Sequence, residues 1–208
     1  MTCMSAVIGR RVLLGAVALP WIGKSAMAAP ADIAFRVMRH GSQIGTHTVR
    51  FRDEGELLRA RTEIRVQVNL AGITLYRFTQ DTEEAWRGDR LVSLGSRADR
   101  NGRPGFCSAV AELNGLRLHG TVGEALLPPT AAPLTWWRAA TLLRDLPLFD
   151  VREGLVVAPR LERSTEGGGP RIRLIGGEGA EIGYDSRGAW TFFATTGEDG
   201  SSVTYARA

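Results

Sequence analysis

The chain has 208 residues, 44% hydrophobic and 23% charged, with 25 Gly, 9 Pro and a formal net charge of +4. That is the make-up of one globular domain with enough length to bury a core, and it excludes collagen-like, disordered and multi-span membrane classes. Two cysteines cannot staple a chain of this size, which excludes a disulfide scaffold as well.

Residues 1–28 read as an address. Arg10 and Arg11 precede an apolar run from Val12 to Gly23, and Ala26-Met27-Ala28 is a small-x-small cleavage site, so cleavage is expected after Ala28. Twelve residues are too few to span a hydrocarbon core of ~30 Å as a helix. A signal peptide is therefore expected rather than a membrane anchor, and the mature chain, 29–208, carries no transmembrane segment. Gly9-Arg10-Arg11-Val12-Leu13-Leu14 fits a twin-arginine export signal, and Lys24 before the cleavage site suits that route. A general secretory signal beginning with two arginines is the alternative. Either route leads to the periplasm. Removing the segment leaves 23 basic residues, all Arg, against 22 acidic ones. That balance removes the main argument for a nucleic-acid partner, which needs a surplus of basic charge on one face.

Short alternating segments follow. Ile33 to Arg39 and Gln43 to Arg52 flank a turn at His40-Gly41-Ser42, and Asp53-Glu54-Gly55 marks the next. From Arg59 to Leu70 the period is two: Ala60, Thr62, Ile64, Val66, Val68 and Leu70 point one way, and Arg59, Arg61, Glu63, Arg65, Gln67 and Asn69 the other. One dry face and one wet face imply antiparallel pairing. Ala71-Gly72 turns into Ile73 to Trp86, and Arg87-Gly88-Asp89 into Arg90 to Ala98. Asn101-Gly102 is a hairpin signal before Phe106 to Leu113, and Asn114-Gly115 leads to Leu116 to Val122. Pro128-Pro129 and Pro133 interrupt the pattern, and Thr135 is placed to cap a short helix over Trp136 to Arg144. Strands resume at Val151 to Arg163, Arg171 to Ile175, Glu181 to Tyr184, Ala189 to Thr195 and Ser201 to Tyr205, with glycine turns between them. The expected fold is mainly β: a curved antiparallel sheet, an open half-barrel or flattened barrel, with one short helical insert against its concave face.

Gly41-x-x-Ile44-Gly45-x-His47-x-Val49-x-Phe51 resembles the opening hairpin of exported bacterial proteins grouped as the domain of unknown function 6134 family. Tyr76-Arg77-Phe78, Glu84-x-Trp86 and Arg90-Leu91 resemble that family's second block. Trp136-Trp137 and the tail from Tyr184-Asp185 through Trp190 to Asp199-Gly200-Ser201 and Tyr205 complete the likeness. It implies a periplasmic β-rich domain and carries over no catalytic or binding residue.

The chemistry-bearing residues are few. His40, His47 and His119 share no metal-ligand spacing, so no metal or other cofactor is expected. No Gly-x-Ser-x-Gly occurs, Cys107 falls in a strand with the character of a structural cysteine, and the triple glycine at 167–169 lacks the Lys-Ser/Thr of a phosphate loop. Asp81, Glu83 and Glu84 read as a solvated strand end rather than a catalytic pair. No catalytic residue is assigned. The double Trp is the more informative feature. Two adjacent Trp on a helix are separated by ~100°, so a core position and a rim position are one account. The other is an aromatic lid over an apolar cleft. On that basis Trp136, Trp137, Tyr76, Phe78 and Trp86 are the candidate ligand-binding residues, and the ligand class is an apolar small molecule or lipid. The expected function is a non-enzymatic periplasmic carrier; the alternatives are an envelope interaction protein without a small ligand and, behind it, a periplasmic enzyme.

Overall fold

The structure, a computed structural model, describes residues 29–208 except 177, 178 and 198. The expected signal segment and its arginine pair lie outside the described residues.

Eight strands run in chain order: β1 (Ile33–Arg39), β2 (Ser42–Glu54), β3 (Leu57–Leu70), β4 (Ile73–Arg87), β5 (Arg90–Arg100), β6 (Arg103–Glu112), β7 (Gly115–Gly120) and β8 (Gly123–Leu127). A connecting strap holds β9 (Ala132–Pro133), α1 (Ala139–Leu143), β10 (Leu148–Phe149) and β11 (Val156–Val157). The chain then returns as β12 (Arg160–Glu166), β13 (Gly169–Ile175), β14 (Ala180–Tyr184), β15 (Trp190–Thr196) and β16 (Ser202–Arg207). Among the described residues, thirteen of these strands make one antiparallel sheet in the order β12-β13-β14-β15-β16-β1-β2-β3-β4-β5-β6-β7-β8. Inside it the last strand pairs with the first, from Phe35 opposite Arg207 to Arg39 opposite Val203, with five strands on one side of this seam and eight on the other. Strands β9, β10 and β11 form a small separate sheet within the strap.

Turn chemistry sets the register. His40-Gly41, Ala71-Gly72 and Asn101-Gly102 each place two successive residues at positive φ, the tight turn whose twist matches flanking antiparallel strands. At the other expected Asn-Gly turn the corner is Leu113-Asn114, and Gly115 is already paired with Glu112. Its glycine serves a different purpose: a Cβ there would lie 2.4 Å from the Leu127 carbonyl oxygen of β8.

The alternation on β3 holds as read from Ala60 to Val68 and fails at Leu70, which is 65% exposed beyond a register shift at Val68-Asn69. Ala60, Thr62 and Ile64 are buried, Val66 and Val68 half-buried, and Arg59, Arg61 and Arg65 exposed. On the wet face Arg59 pairs with Glu54 (2.6 Å), Arg61 with Glu63 (3.0 Å) and Arg65 with Asp81 (2.6 Å). The core on the dry side joins Phe35, Val49, Leu118, Ile172, Ile182 and Trp190 of the sheet to Leu142 of α1 and Phe149 of β10. The strap is thus sealed onto the sheet by aliphatic and aromatic burial. The curvature is strong. One cavity is lined from Leu174 on β13 to Arg100 on β5, nine strands that laid flat would spread roughly 40 Å.

The strap corrects the sequence reading. A helix was expected from Trp136 to Arg144 with Thr135 as its cap; the helix is Ala139–Leu143, preceded by Arg138 with no side-chain cap. Tertiary contacts override local propensity here. Tyr184 donates its hydroxyl to the Trp136 carbonyl (2.7 Å), and Trp137 turns its indole N–H to Glu84 (3.1 Å), which holds both residues ahead of the first turn. The single strand expected from Val151 to Arg163 is a turn followed by β11 and β12, and β8, β9 and β10 were not anticipated.

Candidate functional site

The inward positions of β4 explain the site. Tyr76, Phe78, Gln80, Thr82, Glu84 and Trp86 follow at intervals of two, and all face the concave side because side chains alternate along a strand. The first four line a cavity of about 730 Å3; the last two do not. From Tyr76 to Thr82 the cavity runs roughly 20 Å along the strand, six residues at ~3.3 Å each. Val37, Ile64, Val66, Val68, Leu134 and Phe193 supply much of the remaining wall. Charged groups gather at the end where the hairpins turn. There Arg39 pairs with Asp199 and donates to Ser201 (2.7 Å), and the strap contributes Arg152 against Asp150 (2.9 Å).

Both tryptophans of the strap line this cavity. Trp136 is half-buried and tilts against Phe193, with ring centroids 5.5 Å apart. Trp137 is buried and meets Phe51 (5.0 Å) and Trp86 (6.2 Å) edge-on, closing the end away from the turns. Tyr76 and Phe78 line the wall on the turn side. Trp86 is elsewhere: it is 1% exposed, behind Trp137, with the Arg138 guanidinium 4.3 Å from its ring centre. It belongs to the packing that supports the site and does not face the cavity.

Glu84 corrects a second expectation. Asp81 and Glu83 are exposed on the wet face, but Glu84 is 2% exposed, so strand-end solvation does not describe it. Its carboxylate accepts the indole N–H groups of Trp86 (2.8 Å) and Trp137 (3.1 Å). Burial disfavours the ionised form and raises its pKa to about 7, against the opposing pull of the two indoles and of Arg138. Arg138 in turn donates to Asp89 (2.7 Å) and to the Gly88 carbonyl (2.9 Å), which anchors the strap to the β4–β5 turn.

His47, on β2, also lines the cavity. It is 3% exposed, with Nδ1 3.4 Å from the Tyr205 hydroxyl and its ring edge-on to Trp190 at 4.9 Å. Burial lowers its pKa to about 3, so the imidazole is neutral at pH 7. Cys107 is buried, and burial with the nearby Asp150 charge pushes its thiol up to about 12. His40 is exposed in the β1–β2 turn, and exposed His119 meets Phe106 edge-on at 5.1 Å. Among the described residues, no three His, Cys, Asp or Glu side chains come together in a metal-binding group.

The polar stretch of the wall was missed by sequence reasoning. Thr62 faces Thr82 across β3 and β4, Gln80 donates to Thr82 (3.0 Å), and the Thr82 hydroxyl bonds Ser96 (2.9 Å). Thr135 faces the same cavity from the strap. The signal was available in the even-numbered positions of β4, where polar residues interrupt an otherwise aromatic inward series.

No helix among the described residues is long and apolar enough to cross a membrane. Neither a curated protein nor a solved structure matches the chain. The model of a domain of unknown function, DUF6134, matches residues 35–208, a span that takes in both walls of the cavity and the strap across it. By that match over most of its length, the chain belongs to the DUF6134 family.

Proposed function

We propose that the protein is a non-enzymatic periplasmic carrier or binding protein for an apolar ligand such as a lipid, exported by a twin-arginine-type signal that is cleaved after Ala28. The observation that carries this reading is the cavity of about 730 Å3 between the curved sheet and the strap, walled largely by Val, Ile, Leu and aromatic side chains. Ligand pockets fall at ~300–1,000 Å3, apolar with a few placed polar groups, and often lie where one layer of a fold covers another. The site offers little to a reaction. His47 is neutral and enclosed, Glu84 is turned away from the cavity onto two indoles, and Cys107 lies in the core outside the cavity with its thiol held protonated.

Native mass spectrometry of the mature protein, together with titration of a fluorescent apolar probe, tests the reading. Saturable probe binding is expected, weakened when Trp136 and Trp137 are both replaced by Ala while the far-UV spectrum stays β. Absence of saturable binding by the wild type to any apolar probe would sink it. A second reading, an envelope interaction module with no small ligand, draws on the tip of the β3–β4 hairpin. Leu70 and Ile73 there are 65% and 66% exposed, and this ribbon extends past the last residues paired with β2 and β5.

A further inference from the structure

The β3–β4 hairpin leaves the sheet as a bare two-stranded ribbon. From Gln67 to Arg77 these strands pair only with each other, since the pairing with β2 ends at Val66 and that with β5 at Phe78. The end of the ribbon therefore projects roughly 13 Å, four residues from Val66 to Leu70 at ~3.3 Å each. Residues 69–75 contain no charged side chain. Leu70 and Ile73 stand opposite each other there, which puts both on one face. They are 65% and 66% exposed, and Leu75 beside them is 57% exposed. The polar side chains at this level are uncharged and satisfy one another: Thr74 and Gln67 each donate to the Asn69 carbonyl (3.0 Å).

The base of the ribbon is basic. The Asn101 side chain of the β5–β6 turn accepts the Arg77 amide (2.7 Å) and the Asn101 amide donates to the Arg77 carbonyl (2.9 Å), which sets Arg77 beside the cross-strand pair Arg100 and Arg103. Between Gln67 and Arg77, and between Asp99 and Arg103, the one carboxylate is Asp99, and it is engaged with the Gly102 amide (2.9 Å). An apolar tip ahead of a cationic base matches the layers of a membrane surface. Apolar side chains enter the acyl boundary by ~5–10 Å, and basic groups behind them stay among anionic phosphates. A protein partner fits less well. A specific interface takes ~800 Å2 from each side, more than three side chains on the end of a ribbon present.

We propose that the tip of the β3–β4 hairpin docks the protein on an anionic phospholipid bilayer, with Leu70, Ile73 and Leu75 in the acyl boundary and Arg77, Arg100 and Arg103 on the phosphates. The docked ribbon is continuous with the cavity, because Val68, Leu75 and Tyr76 line that space as well. Docking thus sets the turn end of the cavity against lipid. The inference goes beyond the apolar-ligand reading and does not need the cavity to hold anything.

The test is co-flotation of the mature protein with vesicles of phosphatidylethanolamine and phosphatidylglycerol, and with vesicles of phosphatidylcholine alone. Wild type is expected to float with the anionic vesicles at least about tenfold more tightly than with the neutral ones, and to lose about tenfold between ~0.05 M and ~0.5 M NaCl. Leu70→Ser with Ile73→Ser should weaken binding at least about tenfold and leave the melting temperature unchanged, since both side chains are exposed. Arg77→Gln with Arg103→Gln should weaken it about as much at low salt and flatten the salt dependence. Leu113→Ser, at a fully exposed apolar position in the β6–β7 turn at the opposite end of the sheet, should change nothing. No flotation of wild type, equal flotation with both kinds of vesicle, or an equal loss in Leu113→Ser overturns the inference. So does a wild type that sediments as a dimer, stays off vesicles and becomes monomeric in Leu70→Ser with Ile73→Ser, which would assign the tip to a second copy. The apolar-ligand reading is decided separately, by probe titration without vesicles.

Discussion

Replacing Glu84 by Gln should flatten the pH dependence of stability in a direction that the burial of its carboxylate dictates. The side chain is 2% exposed, and its pKa in the folded protein is raised from 4.5 to about 7. A raised folded pKa means that the native state holds the proton longer than the unfolded chain does. The resulting stabilisation is fully present below pH 4.5 and is lost as the pH rises through 7. At ~1.4 kcal/mol for each tenfold change in proton affinity, the wild type should lose about 3 kcal/mol from this group between pH 4.5 and pH 8. Glutamine keeps a side-chain carbonyl to accept an indole N–H and cannot ionise, so that loss should vanish in the variant. His47 titrates with the opposite sign. Its depressed pKa supplies stability that is present above pH 6.5 and lost as the pH falls towards 3, and because both proteins contain it, it cancels in the difference. The assay is urea unfolding of both proteins at half-unit steps from pH 5 to pH 8. The difference between the two unfolding free energies should move in favour of Glu84→Gln as the pH rises. Parallel curves across that range would show that Glu84 remains ionised or meets water, and the description of it as a buried carboxyl shared by Trp86 and Trp137 would fail.

Two further outcomes follow from the sheet. Ile64→Asp buries an unpaired carboxylate and should cost several kcal/mol, enough to unfold a domain whose total is ~5–15 kcal/mol, whereas Arg65→Gln gives up an exposed ion pair with Asp81 and hydrogen bonds to the Ile64 and Gln80 carbonyls and should cost about 1 kcal/mol. Equal melting temperatures for the two variants would reverse the assigned faces of β3. Cys107, 1% exposed and with its thiol pushed up to about 12, should resist a thiol reagent at pH 8 in the native protein and react stoichiometrically in urea; prompt native labelling would refute its burial.

What was legible in the sequence was what repeats locally. The alternation from Ala60 to Val68 and the Asn101-Gly102 turn are decided by neighbours a few residues away, and they identify strands and faces correctly. The strap was misread because its conformation is set from a distance. The Tyr184 hydroxyl and the Glu84 carboxylate hold Trp136 and Trp137 out of the helix that their own local sequence favours, and neither contact can be inferred from spacing. Trp86 illustrates the same limit: alternation correctly turns it inward, but only the packing of Trp137 over it decides that it supports the cavity rather than facing it. Glu84 was the opposite case. Its inward parity was visible beside Trp86, and the assumption that a carboxylate must be solvated overrode it.

The seam between β16 and β1 also sets the order in which the molecule can be assembled. The strands from β1 to β8 each pair with the one before, so that half of the sheet can zip up from local turns as the chain emerges. The inner edge of β1 has no such neighbour: Arg39 must find Ser201, 162 residues further on. Until β16 arrives, β1 is an unprotected edge carrying Phe35 and Val37, side chains that are 1% exposed once folding is complete. Closure over so long a loop is slow, and exposed apolar edges recruit other chains while they wait. The rate-limiting event in folding should therefore be the docking of the last strand against the first, which makes an interior seam of the finished sheet the part formed latest.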